Sequence, residues 1–402
     1  MNATVTKSLL AVGLIAGFGS IAIPAQAQTF NTRPPNADNQ SPAFKGQTRA
    51  PILSDGVTLK REVIANGLDH PWGMDQLPEG RWLVTERPGQ MRIIAPDGTK
   101  SDRIGGLPEV DARGQGGLLD VTVKDDFKQT RRVWWSYAEP RGNGTNATAV
   151  ATGTLSEDDS RMENVKVIFQ QQPPWRSTYH FGSRLVFDES DALFVTTGER
   201  SLEEPRQLAQ DVGTTIGKVV RINPMGGPAD GNPEIDGGLP EIWSYGHRNL
   251  QAAALDADGK LWTVEHGPKG GDELNQPKPG LNYGWPVISY GINYSGAPVG
   301  EGLTAKDGME QPVYYWDPVI APSGMVFYDG DMFPAWRGDA LIGGLASRAL
   351  VRLEIEDGKV VGEARYIEGN ARIRDVDVDA SDGSIIVLTD ADRGALIKLT
   401  PR

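Results

Sequence analysis

Cysteine is absent from the chain. That excludes disulfide staples, thiolate metal sites and thiol catalysis, and leaves the fold to rest on packing. Histidine is scarce, with 4 copies in 402 residues, so each can be followed singly as a candidate for chemistry near neutral pH. Basic charge is in deficit: 40 Lys and Arg stand against 53 Asp and Glu, a formal charge of −13. This argues against nucleic acid as a partner, because phosphate binding needs a basic surface. Beyond residue 27 no apolar stretch is long enough to span a bilayer, and sustained helical periodicity is hard to find.

What the chain has instead is turn chemistry. It carries 49 Gly and 28 Pro with 39% apolar and 23% charged residues, the profile of a turn-rich protein able to bury a large core. The N-terminus shows an export pattern: Lys7, a short apolar run from Leu9 to Ile23, and Ala25-Gln26-Ala27 at the cleavage positions. Residues 1–27 are expected to be a signal peptide, which implies a periplasmic or secreted protein with no integral membrane segment after its removal. The run is short for an uncleaved anchor. Residues 28–51, rich in Pro, Asn and Gln without an apolar period, read as an extended lead, and residues 52–402 as one folded catalytic domain.

In that domain short β runs end in acidic-Gly turns, at Glu79-Gly80, Asp97-Gly98, Asp258-Gly259, Asp329-Gly330, Asp357-Gly358 and Asp382-Gly383. A phrase repeats under them: a small or apolar strand, an acidic turn, then a β-branched or aromatic strand. It runs from Trp72 to Thr85, Gly117 to Trp135, Ser183 to Thr197, Ala252 to Val264, Gly324 to Ile342 and Val376 to Thr389. Copies recur every ~45–70 residues, room for one propeller blade. One such sheet cannot cover both its faces, whereas a ring of them packs face to face. The expected fold is all-β, a six-bladed β-propeller of four-stranded antiparallel sheets; a two-sheet sandwich is the alternative that the same strand signals allow.

In a propeller the equivalent positions of all blades meet around one channel mouth. The residues just ahead of each first strand are polar: Asp69-His70, Gln115, His180, Arg248-Asn249, Ser323, and Arg372 with Arg374. One mouth would gather an imidazole, amides and guanidiniums, and the guanidiniums suit a ligand bearing carboxylates or phosphates. His180, after the bulky loop Pro173 to Tyr179, is the candidate general base, since a neutral imidazole accepts a hydroxyl proton at ambient pH. A lone His is more often structural, but the channel position favours chemistry. The segment Glu265 to Asn275, followed by Gly280 to Pro286, offers carboxylates, carbonyls and flexible glycines that suit calcium and equally suit ordinary turns.

A set of ordered motifs then stands out: His70-Pro71-Trp72-Gly73, Thr85-Glu86-Arg87-Pro88-Gly89, Gly114 to Asp120, His180 to Leu185, Gly246-His247-Arg248-Asn249, Glu265-His266-Gly267-Pro268, Asn282 to Pro286, Ala321-Pro322-Ser323-Gly324 and Arg372-Ile373-Arg374-Asp375. From about Val57 onward the chain resembles the soluble quinoprotein glucose/sorbosone dehydrogenases, and most closely their aldose sugar dehydrogenase branch. The resemblance implies oxidation of the C1 hydroxyl of an aldose to a lactone, with pyrroloquinoline quinone (PQQ) and calcium as cofactors, His180 as base and an unidentified electron acceptor. It implies that Gln115, Arg248, Asn249, Arg372 and Arg374 hold the quinone and its carboxylates, with Ser323 and Gly324 at the same mouth and Tyr294 as a further wall. The carbonyls of Gly267 and Pro268 match ligands of the cofactor's calcium, and Glu273 and Tyr283 match ligands of a separate structural calcium.

The chain departs from that pattern at named positions. Ala346 stands where related enzymes place a quinone-contacting Lys, and Arg348 is the candidate to replace it. Tyr179 stands where glucose-specific members place an acidic residue before the base, so neither glucose specificity nor the orientation of His180 carries over. Two other readings exist on the same fold. A calcium-dependent lactonase is disfavoured because channel guanidiniums serve a carboxylated cofactor better than a metal hydroxide; a carbohydrate-binding propeller without catalysis is the other.

Overall fold

The computed structural model describes Met1, residues 29–37 and residues 40–402. The signal peptide expected over residues 1–27 therefore lies, save for Met1, outside the described residues. Among the described residues no helix is long and apolar enough to cross a membrane.

The β-branched and aromatic runs form six antiparallel sheets. The first blade comprises Pro71–Leu77, Arg81–Glu86 and Gln90–Ile94. Its fourth place is taken by an irregular segment whose Ser101 and Ile104 N–H groups donate to Ile93 and Met91. The second holds Leu118–Val123, Arg132–Pro140, Asn146–Leu155 and Met162–Gln170; the third Gly182–Phe187, Leu193–Thr197, Lys218–Ile222 and Ile242–Tyr245. The fourth holds Leu250–Leu255, Leu261–Glu265, Asp272–Asn275 and Tyr314–Trp316; the fifth Pro322–Phe327, Ala340–Gly344, Ala349–Glu356 and Lys359–Tyr366. The sixth has Ile373–Val378, Ile385–Thr389 and Gly394–Pro401, and its outer strand is Leu59–Leu68 from the opposite end of the domain. That pairing stitches both ends into one sheet.

The first strand of each blade lies beside its counterpart in the next blade, and the sixth beside the first, so the sheets form a closed ring and not a sandwich. Apolar clusters fill the gaps between neighbours. Met91 packs with Trp135 between blades one and two, Trp262 with Ile342 between four and five, and Trp82 with Leu388 between six and one. Each such side chain contributes about 1.5–3 kcal/mol on burial, which is how a chain without disulfides holds a ring shut.

Every inner strand slips register against its neighbour near its start, at Pro71/Met74, Leu118/Val121, Leu250/Ala252, Pro322/Met325 and Ile373/Asp375, and opposite Gly182 in blade three. A bulge bends the strand and re-aims the adjoining side chains. Just ahead of three of these strands His70, His180 and Ala321 have φ of 47°, 49° and 50°, a left-handed turn onto the mouth. The sharp entry is what brings the residue before each inner strand to the axis.

Residues 29–37 and 40–51 contain one 3-10 turn, Phe30–Thr32, and lie against blades four and five. The Asp317 carboxylate accepts the Ala37 N–H at 3.0 Å, and Gln47, fully buried, donates to the Pro312 carbonyl at 3.0 Å.

Candidate active site

The channel has a floor. Arg184 of blade three stands 2.7 Å from Asp120 of blade two and 3.0 Å from Asp375 of blade six. Close approach here demands glycine: a Cβ on Gly324 would fall 1.8 Å from Asp375 Oδ1, and one on Gly73 2.8 Å from Asp120 Oδ1. Gly324 therefore belongs to the floor, as room for a carboxylate. Ser323 is turned into the wall, its hydroxyl 2.6 Å from the Ile373 carbonyl and 3.0 Å from that of Gly343. Above the plug, the Trp72 ring lies between Arg184 at 4.7 Å and Arg374 at 5.7 Å.

His180 sits at the mouth, buried, with both backbone and ring held. Its N–H donates to Gln115 Oε1 at 2.9 Å, and its Nδ1 lies 3.0 Å from Glu199 Oε1. Burial opposes ionisation of Glu199, but the imidazole, Arg248 and the Ser201 N–H together hold it below the ordinary carboxylate range. An ionised Glu199 accepts from Nδ1–H, which leaves Nε2 as the ring's acceptor. Burial, reinforced by Arg248, lowers the affinity of His180 for a proton, so the ring rests in the neutral form that a base requires.

Arg248 projects across the cup. Its Nη1 donates to the carbonyls of His266 at 2.9 Å and Gly267 at 2.7 Å, and its Nε lies 3.9 Å from Glu199. Behind it runs a buried chain: Ser244 Oγ is 2.8 Å from His247 Nε2, His247 Nδ1 is 2.9 Å from Glu265 Oε1, and Glu265 Oε2 accepts the Arg248 N–H. Ser, His and Glu are in the order of a hydrolase triad, but Ser244 and His247 are fully buried, so the chain fixes Arg248 and meets no substrate. Asn249 Oδ1 accepts the Gly182 N–H at 3.1 Å, tying the His180 strand to blade four.

On the opposite side Asp390 Oδ2 receives Arg372 at 2.8 Å and Arg374 at 3.0 Å. Arg374 also donates to Gln251 at 3.0 Å. Burial, then Arg248, His180 and Arg374, push His266 down to about 3. Among the described residues Arg248 Nε and Arg374 Nε are buried with no hydrogen-bond partner. Arg348 is exposed in the turn after Ala340–Gly344, beside the Leu345 carbonyl that Arg372 approaches at 3.4 Å. Tyr294 is exposed on the loop that Ile292 and Pro298 close.

Gly267, Pro268, Glu273 and Tyr283 line one small cavity together with Arg248 and Trp285. Burial and the facing Glu265 hold Glu273 well above the usual carboxylate range, while Asn275 donates to both acids and keeps its own Oδ1 unpartnered. Tyr283 stacks on His247 at 4.8 Å. Asp272, pushed by burial up to about 7, accepts the Gly267 N–H at 2.8 Å and the Ala321 N–H at 2.7 Å, pinning this turn to blade five. No cluster of three or more His, Asp or Glu suited to a metal occurs among the described residues, so a cation here would draw on amide and backbone oxygens as well.

Glu199 and Asp390 are site residues that reading the sequence overlooks, and Glu265, read there only as a possible calcium carboxylate, turns out to hold His247 and Arg248. All three stand at or just past the second strand of a blade, where they come beside the residues ahead of the first.

The chain matches the family described as Glucose / Sorbosone dehydrogenase over residues 68–398. It is 42% identical over 351 residues to an aldose sugar dehydrogenase of Escherichia coli, covering 86% of this chain and 94% of that protein. The solved structure of a soluble aldose sugar dehydrogenase from Escherichia coli in the apo-form aligns with a TM-score of 0.82 and 42% identity, over 86% of this chain and 100% of that one. A PQQ-bound aldose sugar dehydrogenase from Streptomyces coelicolor aligns with a TM-score of 0.71 and 26% identity, over 85% and 99%. The family match runs from the end of the outer strand Leu59–Leu68 almost to the last residue of the ring, and on that footing the chain belongs to the glucose/sorbosone dehydrogenase family.

Proposed function

We propose that this chain is a PQQ- and calcium-dependent quinoprotein dehydrogenase that oxidises the C1 hydroxyl of aldose sugars to the lactone, in the periplasm or outside the cell. The observation that carries the reading is the cup itself. A neutral imidazole with a free acceptor nitrogen shares one mouth with two buried guanidiniums, each with an Nε–H that lacks a partner.

The donor set fits a planar polycarboxylate. Buried guanidinium N–H groups without acceptors are costly, and carboxylates match their fork geometry. Arg248, Arg372 and Arg374, with Gln115 and Asn249, are the groups that would hold PQQ; Tyr294 and Arg348 reach it only from the rim. The oxygens fit calcium as well: Glu273 opposed by Glu265, with the unpartnered Asn275 Oδ1 beside them, and the Gly267 and Pro268 carbonyls toward the cofactor. When bound, the quinone accepts hydride from C1 and calcium makes it more electrophilic. His180 takes the C1 hydroxyl proton on Nε2 while Glu199 holds the ring. As the O–H and C1–H bonds break, the C1–O double bond of the lactone forms. Arg184 and its two carboxylates close the channel beneath, so the sugar enters from the mouth alone.

The test is reconstitution. Apo protein given calcium and PQQ is expected to reduce an artificial electron dye only when an aldose is present. His180→Ala is expected to bind PQQ normally in a spectroscopic titration and to lose at least about 10²-fold in kcat. A protein that hydrolyses lactones and ignores the quinone, or binds sugar and reduces nothing, overturns the reading.

A further inference from the structure

We propose that Arg200 is a positioning residue for the base: it grips the loop that carries His180 from its buried side and sets a positive charge behind the imidazole. The inference rests on His180 acting as base, and its test is arranged so that the two can fail separately.

Arg200 follows Glu199 directly and is fully buried. Its Nη1 donates to the His180 carbonyl at 3.2 Å, and its Nη2 donates to the Ser177 carbonyl at 2.8 Å and to Asn146 Oδ1. The guanidinium lies 3.8 Å over the Phe181 ring. Ser177 Oγ returns a hydrogen bond to the Arg200 carbonyl at 2.6 Å. One planar fork thus closes the loop on both sides of its tip at Tyr179, a geometry that a lysine ammonium cannot reproduce. The loop needs such a clasp, because His180 sits at a φ of 49° and Arg200 itself at 71°, conformations that persist only when the surroundings impose them.

The clasp also carries charge. All three acceptors of Arg200 are neutral oxygens; the carboxylates that act on it, Glu199 and Asp111, do so without a hydrogen bond, Asp111 instead accepting from Asn146 Nδ2 at 2.8 Å. Burial outweighs the pull of Glu199 and Asp111 and brings the Arg200 guanidinium down to about 9, so it still carries its charge beside the base at neutral pH. The other charged or titratable groups facing His180 are Glu199, Arg248 and His266. Glu199 orients the ring but favours the imidazolium, and Arg248 and Arg200 oppose that pull. Arg200 thus adds to burial and Arg248 in letting the protein place a carboxylate on the base without protonating it.

With 4 histidines in the chain, ring-nitrogen NMR of the apo protein can follow His180 without any cofactor. Arg200→Met is expected to raise the His180 titration midpoint by roughly half a pH unit or more. In the PQQ- and calcium-loaded protein it is expected to lower kcat at least about tenfold, with sugar KM within about twofold and the acid limb of the pH profile moved up in step. Arg200→Lys keeps the charge without the fork, so it should retain the wild-type titration and lose part of the kcat. A fall in kcat with an unshifted titration would reduce Arg200 to a prop and overturn the proposal, as would wild-type behaviour of Arg200→Met in both measurements. A shifted titration with no effect on the loaded enzyme would support the electrostatic role of Arg200 and sink the assignment of His180 as base. If circular dichroism shows Arg200→Met unfolded, Asn146→Ala removes one acceptor and leaves the fork in place; wild-type kcat in that variant overturns the proposal, and a lower kcat at unchanged KM supports it.

Discussion

Glu199 reaches His180 across the open end of a hairpin: its Oε1 stands 3.0 Å from the ring Nδ1 while its Oε2 accepts the Ser201 N–H. Tyr179, the residue before His180 in the chain, is exposed. The carboxylate beside the His180 ring comes instead from the far strand, and it is buried where Tyr179 is not.

Glu199→Gln tests that role. The amide can donate to Nδ1 as readily as it accepts, so it permits the tautomer that carries its proton on Nε2 and cannot receive another. The expected result is a kcat lower by about 10²-fold, within the range that a positioned base supplies, with sugar KM little changed. Steady-state kinetics of the loaded enzyme decide it; a kcat within twofold of wild type removes Glu199 from the mechanism.

Strand register explains why half the site is legible in the sequence and half is not. Blades are legible because their hairpins end in acidic-Gly turns, and Gly98, Gly259, Gly358 and Gly383 all adopt positive φ. The mouth residues are legible because each stands just ahead of, or in the first residues of, a bulged inner strand. Their partners come from register. Gly182 pairs with Thr197, so His180 and Glu199, each two residues further out, meet; Ile373 pairs with Thr389, so Arg372 and Asp390, each one residue out, meet. Residue types do not spell that register, and the overlooked carboxylates look like ordinary loop acids. The floor is hidden for a related reason, since Asp120, Arg184 and Asp375 lie inside strands and only the ring turns them toward one axis.

Arg184→Met isolates the floor. Burial and mutual repulsion hold Asp120 and Asp375 above the ordinary carboxylate range, and Arg184 counters both effects. A carboxyl raised on folding keeps its proton after the unfolded chain, with its ordinary value of 3.8, has released one. Stability therefore falls as pH rises from the unfolded value toward the folded one. Without Arg184 only backbone N–H groups counter the rise and the window extends upward. Urea unfolding is expected to show a loss of about 3–5 kcal/mol near neutral pH, typical of a buried pair deprived of one partner, and a clearly smaller loss near pH 5. Equal losses at both pH values would show that the two acids do not feel each other.

Glu273→Gln tests the calcium assignment through stability alone. In calcium-free buffer the wild-type protein carries two facing buried acids with Asn275 between them, and replacing one with a neutral isostere relieves both repulsion and desolvation. The variant should melt at a higher temperature than wild type in chelator. Saturating calcium stabilises only a protein that binds it, by about 2.7 kcal/mol at a hundredfold excess over Kd, so the wild-type Tm should climb on titration and the variant's should stay nearly flat. The two effects have one cause, because the charge that destabilises the empty cavity is the charge that draws the cation in. A variant that gains as much from calcium as wild type would place the ion elsewhere.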